Sequence, residues 1–143
     1  MRRWFTALIL GLVVPLSAQA LTPAEILAAL ADPVNSTGNV ADAVDEATGA
    51  RGWMSSDMKP VQEGKIVGRA ATALMRPVLR NDTRKYPNHL LEILDQAEPG
   101  SILVYVMQDG LEVAAMGNLM ATTAKVRGLA GAVIDGAVRD ITE

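Results

Sequence analysis

Residues 111–134 limit the fold more than any other part of this chain. A short apolar run at 111–116 is followed by Gly117 and Asn118, a helical segment to Arg127, a stop at Gly128, and a second apolar run, Gly131-Ala-Val-Ile134. Short apolar runs without polar alternation fit strands covered on both faces, as in parallel sheets. Asn118 reads as the N-cap of the intervening helix, with Leu119, Thr123 and Val126 sharing one face. Strand, helix and strand at this spacing make a βαβ unit, and its two strands end on the same edge of one sheet. The expected fold class is therefore α/β.

The upstream sequence supplies elements of the same kind. Thr22-Pro-Ala-Glu25 is a capping box with Pro at the first helical position, predicting a short helix up to Asp32-Pro33. Residues 35–39 read as a turn, with Asn39 capping a second helix over 40–47. A glycine-containing connector spans 49–52. Residues 65–78 are small and β-branched and predict one long strand or two shorter ones. Residues 80–85 form a polar loop, 89–97 an amphipathic helix, and 101–107 a buried strand ending at the turn Gln108-Asp109-Gly110. No internal repeat or second domain interrupts this order.

Composition sets the bounds. The 143 residues are half hydrophobic but only 3% aromatic, so the core must be aliphatic, with Met54, Met58, Met75 and Met120 as expected fillers. The absence of cysteine excludes disulfides, thiolate metal sites and cysteine nucleophiles, and a single histidine, His89, excludes multi-histidine metal sites within one chain. His89 stands at a helix start without a nucleophile pattern and reads as a surface residue. The chain opens with Met1-Arg2-Arg3, an apolar run over 7–14 and Ala18-Gln19-Ala20. That order matches a secretory leader over 1–20, too short to span a bilayer and leaving no stable membrane anchor after cleavage. The expected location is periplasmic or secreted, or cytoplasmic if the leader is misassigned. Losing Arg2 and Arg3 takes the net charge from −3 to −5, which argues against nucleic acid as a partner.

Chemistry concentrates where the βαβ unit ends. Ligands of open α/β sheets bind outside the carboxyl ends of the strands. Gly117 follows the first strand, and Asp135, Gly136, Arg139 and Asp140 follow the second, so the spacing brings them together. Gly117 lets the chain turn, and Leu119 and Met120 present helix-start amides to a carboxylate or phosphate. Arg139 brings a planar, permanently charged fork suited to a carboxylate or a developing enolate oxygen. Asp140 brings a hard oxygen for Mg²⁺ or Mn²⁺. These residue types suit metal-assisted chemistry on a small oxo-acid.

From about Val40 onward the sequence resembles the RraA family. The likeness rests on Val40-Ala-Asp-Ala-Val-Asp45 with Gly49 and Gly52, Gly64-Lys-Ile-Val-Gly-Arg-Ala70, Pro99-Gly100, and above all the run from Ala124 to Asp140. It implies a layered α/β sandwich with mixed sheets over 21–143, incomplete at its C-terminal end. It also implies a homotrimer with sites between subunits. The family's aldolases cleave 4-hydroxy-4-methyl-2-oxoglutarate-type oxo-acids to pyruvate with a divalent metal, and decarboxylate oxaloacetate. By resemblance, Gly117, Asn118, Leu119, Met120 and Arg139 bind the pyruvoyl part, Arg139 and Asn118 occupy catalytic positions, and Asp140 ligates the metal. The aldolases carry Asp, twenty residues, then Arg-Asp. Here Asn118 stands in the first position. The alternative reading is a non-catalytic binding or regulatory protein like the family's ribonuclease regulators, or an inactive truncated relative.

Overall fold

The structure is a computed structural model and describes residues 20–76, 78, 81–86, 88–109 and 113–141. Of the expected leader over 1–20, residues 1–19 lie outside the described residues. Helix α1 (Pro23–Ala31) opens as its capping box requires: the Thr22 amide donates to Glu25 Oε2 at 2.7 Å, and the Glu25 amide donates back to Thr22 Oγ1 at 3.3 Å. The Thr22 amide and the Thr22 hydroxyl, both donating to Glu25 Oε2, hold the Glu25 carboxyl below its usual pKa.

Helix α2 (Thr37–Thr48) starts earlier than expected. Ser36, not Asn39, is the cap, because the extended backbone of Ser36 lets its hydroxyl accept from the Asn39 amide at 3.2 Å. Asn39 is thereby drawn into the first turn. Strand β1 (Ala70–Met75) is shorter than the 65–78 run, because the segment before it is tied elsewhere. Lys65 Nζ donates to the carbonyls of Asp32 and Asn35 at 2.9 and 2.7 Å, beyond the end of α1.

The remaining elements are α3 (His89–Gln96), β2 (Ile102–Met107), β3 (Ala114–Met116), α4 (Asn118–Val126), β4 (Gly131–Asp135) and β5 (Ala137–Val138). Residues 110–112, where β3 was expected to begin, lie outside the described residues. One sheet has the order β1-β2-β4 and is parallel throughout, pairing Ala73 with Tyr105 and Tyr105 with Ile134. Its covered face packs on α3 and α4. Leu103 and Tyr105 are fully buried there, among Ala73, Leu94, Ala97, Ala115 and Ala124. The Tyr105 hydroxyl donates to the Leu90 carbonyl at 3.1 Å, and burial raises its pKa. Arg127 closes α4 onto α3, donating to the Asp95 carboxylate at 3.0 Å and to the Asp95 carbonyl. Met75 and Met120 pack against this core as expected, whereas Met54 is exposed.

The expected βαβ unit differs in one respect. β3 and β4 do not share a sheet: β4 joins β2, while β3 pairs in parallel with β5 in a separate two-stranded sheet. Helix α4 therefore crosses from one sheet to the other. The switch occurs at Gly136, whose φ of 154° suits glycine and whose missing side chain leaves room for Met107. A Cβ at that position would lie 2.7 Å from Met107 Cγ. Among the described residues no helix is long and apolar enough to cross a membrane.

Candidate active site

The β3–β5 pair builds the site. Met116 pairs with Val138, and the Arg139 amide donates to the Met116 carbonyl at 3.0 Å, so both strands end together. Gly117 and Asn118 continue from one strand, Arg139 and Asp140 from the other. Sequence reasoning placed these residues on a common edge but assigned that edge to the wrong strand pair. The two-residue β5 gives too short a periodic signal to separate it from β4. Asp135, expected beside them, ends β4 in the other sheet, paired with Val106.

Gly117, not Asn118, is the N-cap of α4, and Asn118 is its first helical residue. The reason is the chain entry. Gly117 has an extended backbone (φ −141°, ψ −175°) that any residue adopts, so its value is not conformational freedom. A Cβ there would lie 2.9 Å from both Arg139 Nε and Asp140 Oδ2. Glycine makes space for the two charged groups to close over the helix start. Gly117 has no side chain to cap the helix, so the helix-start amides receive no hydrogen bond from the cap residue, and Leu119 and Met120 lie in the cleft lining. One of them is already engaged: the Asn118 amide donates to Asp140 Oδ2 at 3.4 Å. The positive end of α4 thus holds a carboxylate from its own chain, and the Leu119 and Met120 amides stand next to it.

Arg139 Nε lies 3.3 Å from the same Asp140 oxygen. The arginine side chain is 74% exposed and the aspartate 34%, so this is a solvated pair with its guanidinium available to a ligand. Asp140 takes a left-handed backbone conformation (φ 59°), which aspartate tolerates better than most residues. Asn118 Oδ1 accepts from the Thr122 hydroxyl at 3.2 Å, which leaves the amide nitrogen of the side chain as a donor. Thr122 was missed by sequence reasoning, although its spacing of four from Asn118 on a helix signals the contact.

Gly117, Leu119, Met120 and Arg139 line one cleft together with Val113 and Ala114, which the sequence did not single out. Four expected binding residues are therefore neighbours. The apolar stripe of α4 is not packed inward: Leu119 and Val126 are each 82% exposed. His89 is a surface residue paired with Glu92 at 2.8 Å. A separate surface cluster at Asp82 stands outside the site. Arg84 and the Tyr86 hydroxyl bond its carboxylate and hold its pKa well below the usual range.

Among the described residues no three His, Cys, Asp or Glu side chains are grouped to hold a metal ion. Asp140 presents one carboxylate beside the cleft. That donor set does not suit zinc. It fits a magnesium-type ion, which keeps several waters and takes one or two carboxylates together with substrate oxygens.

The fold and cleft place this chain among layered α/β proteins that gather their polar residues at the carboxyl ends of parallel strands. Residues 37–143 match the model of the RraA-like family, described as Aldolase/RraA, and the chain belongs to that family. It is similar to a protein of Halalkalibacterium halodurans provisionally named 4-hydroxy-4-methyl-2-oxoglutarate aldolase. The two are 32% identical over 103 residues, covering 71% of this chain and 44% of that protein. The crystal structure of an uncharacterized protein from Pseudomonas syringae pv. tomato shares the fold, with a TM-score of 0.66 and 26% identity. That likeness covers 92% of this chain and 55% of the other. The chain thus spans about half the length of the proteins it matches.

Proposed function

We propose that the β3–β5 cleft performs divalent-metal-dependent aldol cleavage of 4-hydroxy-2-oxo acids to pyruvate, the reaction type of 4-hydroxy-4-methyl-2-oxoglutarate aldolases. The observation that carries this reading is the convergence of the α4 start, Arg139 and Asp140 around Gly117, in a chain of the RraA-like family. The relative's name supports lyase chemistry for the family.

In this reading the Leu119 and Met120 amides, backed by the helix dipole, take the substrate carboxylate. The Arg139 guanidinium turns toward the 2-oxo oxygen and stabilises the negative charge that develops there. The C3–C4 bond breaks, its electron pair passes into the enolate, and the 4-hydroxyl proton leaves to water at the open mouth of the cleft. Protonation at C3 gives pyruvate. Asn118 carries no carboxylate to receive a proton, and its side-chain amide acts as a hydrogen-bond donor. Asp140 would hold Mg²⁺ or Mn²⁺, which when bound would polarise the 2-oxo group as a Lewis acid. Loss of CO₂ from oxaloacetate yields the same enolate, so decarboxylation belongs to the proposal.

A homotrimer with sites between subunits fits the solvent-facing Leu119 and Val126 on α4, and the leader over 1–20 supports export to the periplasm or medium. Asn118 favours a second reading, a non-catalytic binding or regulatory member of the family. A pyruvate-release assay with 4-hydroxy-4-methyl-2-oxoglutarate and oxaloacetate separates the two. Release with Mg²⁺ that stops with EDTA supports the aldolase, and no release under either condition supports the regulator.

A further inference from the structure

The start of α4 already holds an anion, and that anion belongs to the chain itself. Asp140 Oδ2 accepts from the Asn118 amide at 3.4 Å and lies 3.3 Å from Arg139 Nε. One carboxylate oxygen thus engages both the positive end of the helix and the guanidinium. The backbone is shaped for this contact. Asp140 takes a φ of 59° where it leaves β5, and Gly117 leaves room that a Cβ would fill, at 2.9 Å from both Arg139 Nε and Asp140 Oδ2. The same guanidinium and the same helix start are the groups that the aldolase reading gives to the substrate.

We infer that the Asp140 carboxylate is an internal lock on the cleft, occupying the anion site at the α4 start until a divalent cation takes up its charge; this rests on the aldolase reading of the same site. Arg139 and Asp140 together carry no net charge. A carboxylate approaching the helix start therefore meets a cation that is already paired and an aspartate that repels it. Asp140 gives up its negative charge to a divalent cation through either of its oxygens, and Arg139 and the helix-start amides are then free for the acid. Coupling between two ligands is reciprocal, so a bound oxo-acid also strengthens the hold of Asp140 on the cation. The order of binding follows: cation first, acid second. One consequence sets a lock apart from a plain metal ligand. Removing the Asp140 carboxylate strengthens binding of the acid when no metal is present.

Nuclear magnetic resonance titration of the full chain with pyruvate, followed at the Leu119 and Met120 amides in EDTA and in magnesium chloride, tests the inference. In EDTA, Asp140→Asn is expected to bind pyruvate at least about tenfold more tightly than the native chain. Asp140→Gly suits a φ of 59° and removes the carboxylate outright, and it is expected to show the same gain. Magnesium chloride should tighten binding to the native chain by a similar factor and leave both variants within about twofold of their affinity in EDTA. The lock is overturned if the native chain binds pyruvate with magnesium while neither variant binds it more tightly than the native chain in EDTA; the aldolase reading then stands. Failure of the native chain and both variants to bind pyruvate under either condition overturns both.

Discussion

The two sheets of this protein differ in kind. The β1-β2-β4 sheet is knitted by continuous parallel pairing and buries Leu103 and Tyr105 completely. The β3–β5 pair is a ribbon of two short strands with a register irregularity, and its ends carry exposed charged groups. One is held by burial, whereas the other is anchored to that core through Ala115 and Met116 and ends in polar contacts around Gly117. Stability and activity should therefore be separable by mutation, which makes the comparison testable.

The largest stability effect belongs to the first sheet. Leu103→Ala empties a fully buried position and is expected to cost about 2–5 kcal/mol, read from denaturant unfolding. Cleft binding at temperatures where the variant stays folded should be little changed. Gly117→Ala should do the reverse. Its Cβ would push Arg139 and Asp140 aside, so kcat/KM for pyruvate release should fall roughly ten- to a hundredfold, since small misplacements of reacting groups are costly. The loss of stability should stay under about 1 kcal/mol. Equal losses in both properties would break the comparison.

Smaller effects sharpen it. Tyr105→Phe removes the hydroxyl that bonds the Leu90 carbonyl and is expected to cost about 1 kcal/mol. Burial holds the Tyr105 pKa above its ordinary value, so the folded state keeps that proton more tightly. The associated stability is fully present below the unfolded pKa of about 10 and is lost as pH rises through the folded value. Alkaline unfolding monitored by circular dichroism should therefore begin earlier in the native chain than in Tyr105→Phe. Asn118→Asp should raise pyruvate release several-fold, because a carboxylate there could receive a proton or orient water near Asp140. No gain would count against a catalytic role for this position.

The same contrast explains what was legible in the sequence. The buried strand 101–107 and the helix over 89–97 announce themselves through long periodic or apolar runs, and both appear with nearly the expected bounds. The cap at Thr22 was legible because a capping box is a local device. At Asn118 the local preference lost. The extended entry through Gly117, fixed by its approach to Arg139 and Asp140, moved the cap one residue earlier. The grouping of Gly117 with Arg139 and Asp140 could be read from spacing. The strand pair that produces it could not, because two residues, Ala137 and Val138, carry no period. Val113 and Ala114 line the cleft through tertiary placement alone.

The central claim is that the Arg139 guanidinium stabilises charge developing on the substrate in the β3–β5 cleft. Steady-state pyruvate release by Arg139→Ala, set beside its thermal unfolding, tests this directly. The account predicts a kcat lower by at least about a hundredfold, with an unfolding midpoint close to that of the native chain, because the side chain is largely exposed. Near-normal turnover in a folded Arg139→Ala protein would contradict it.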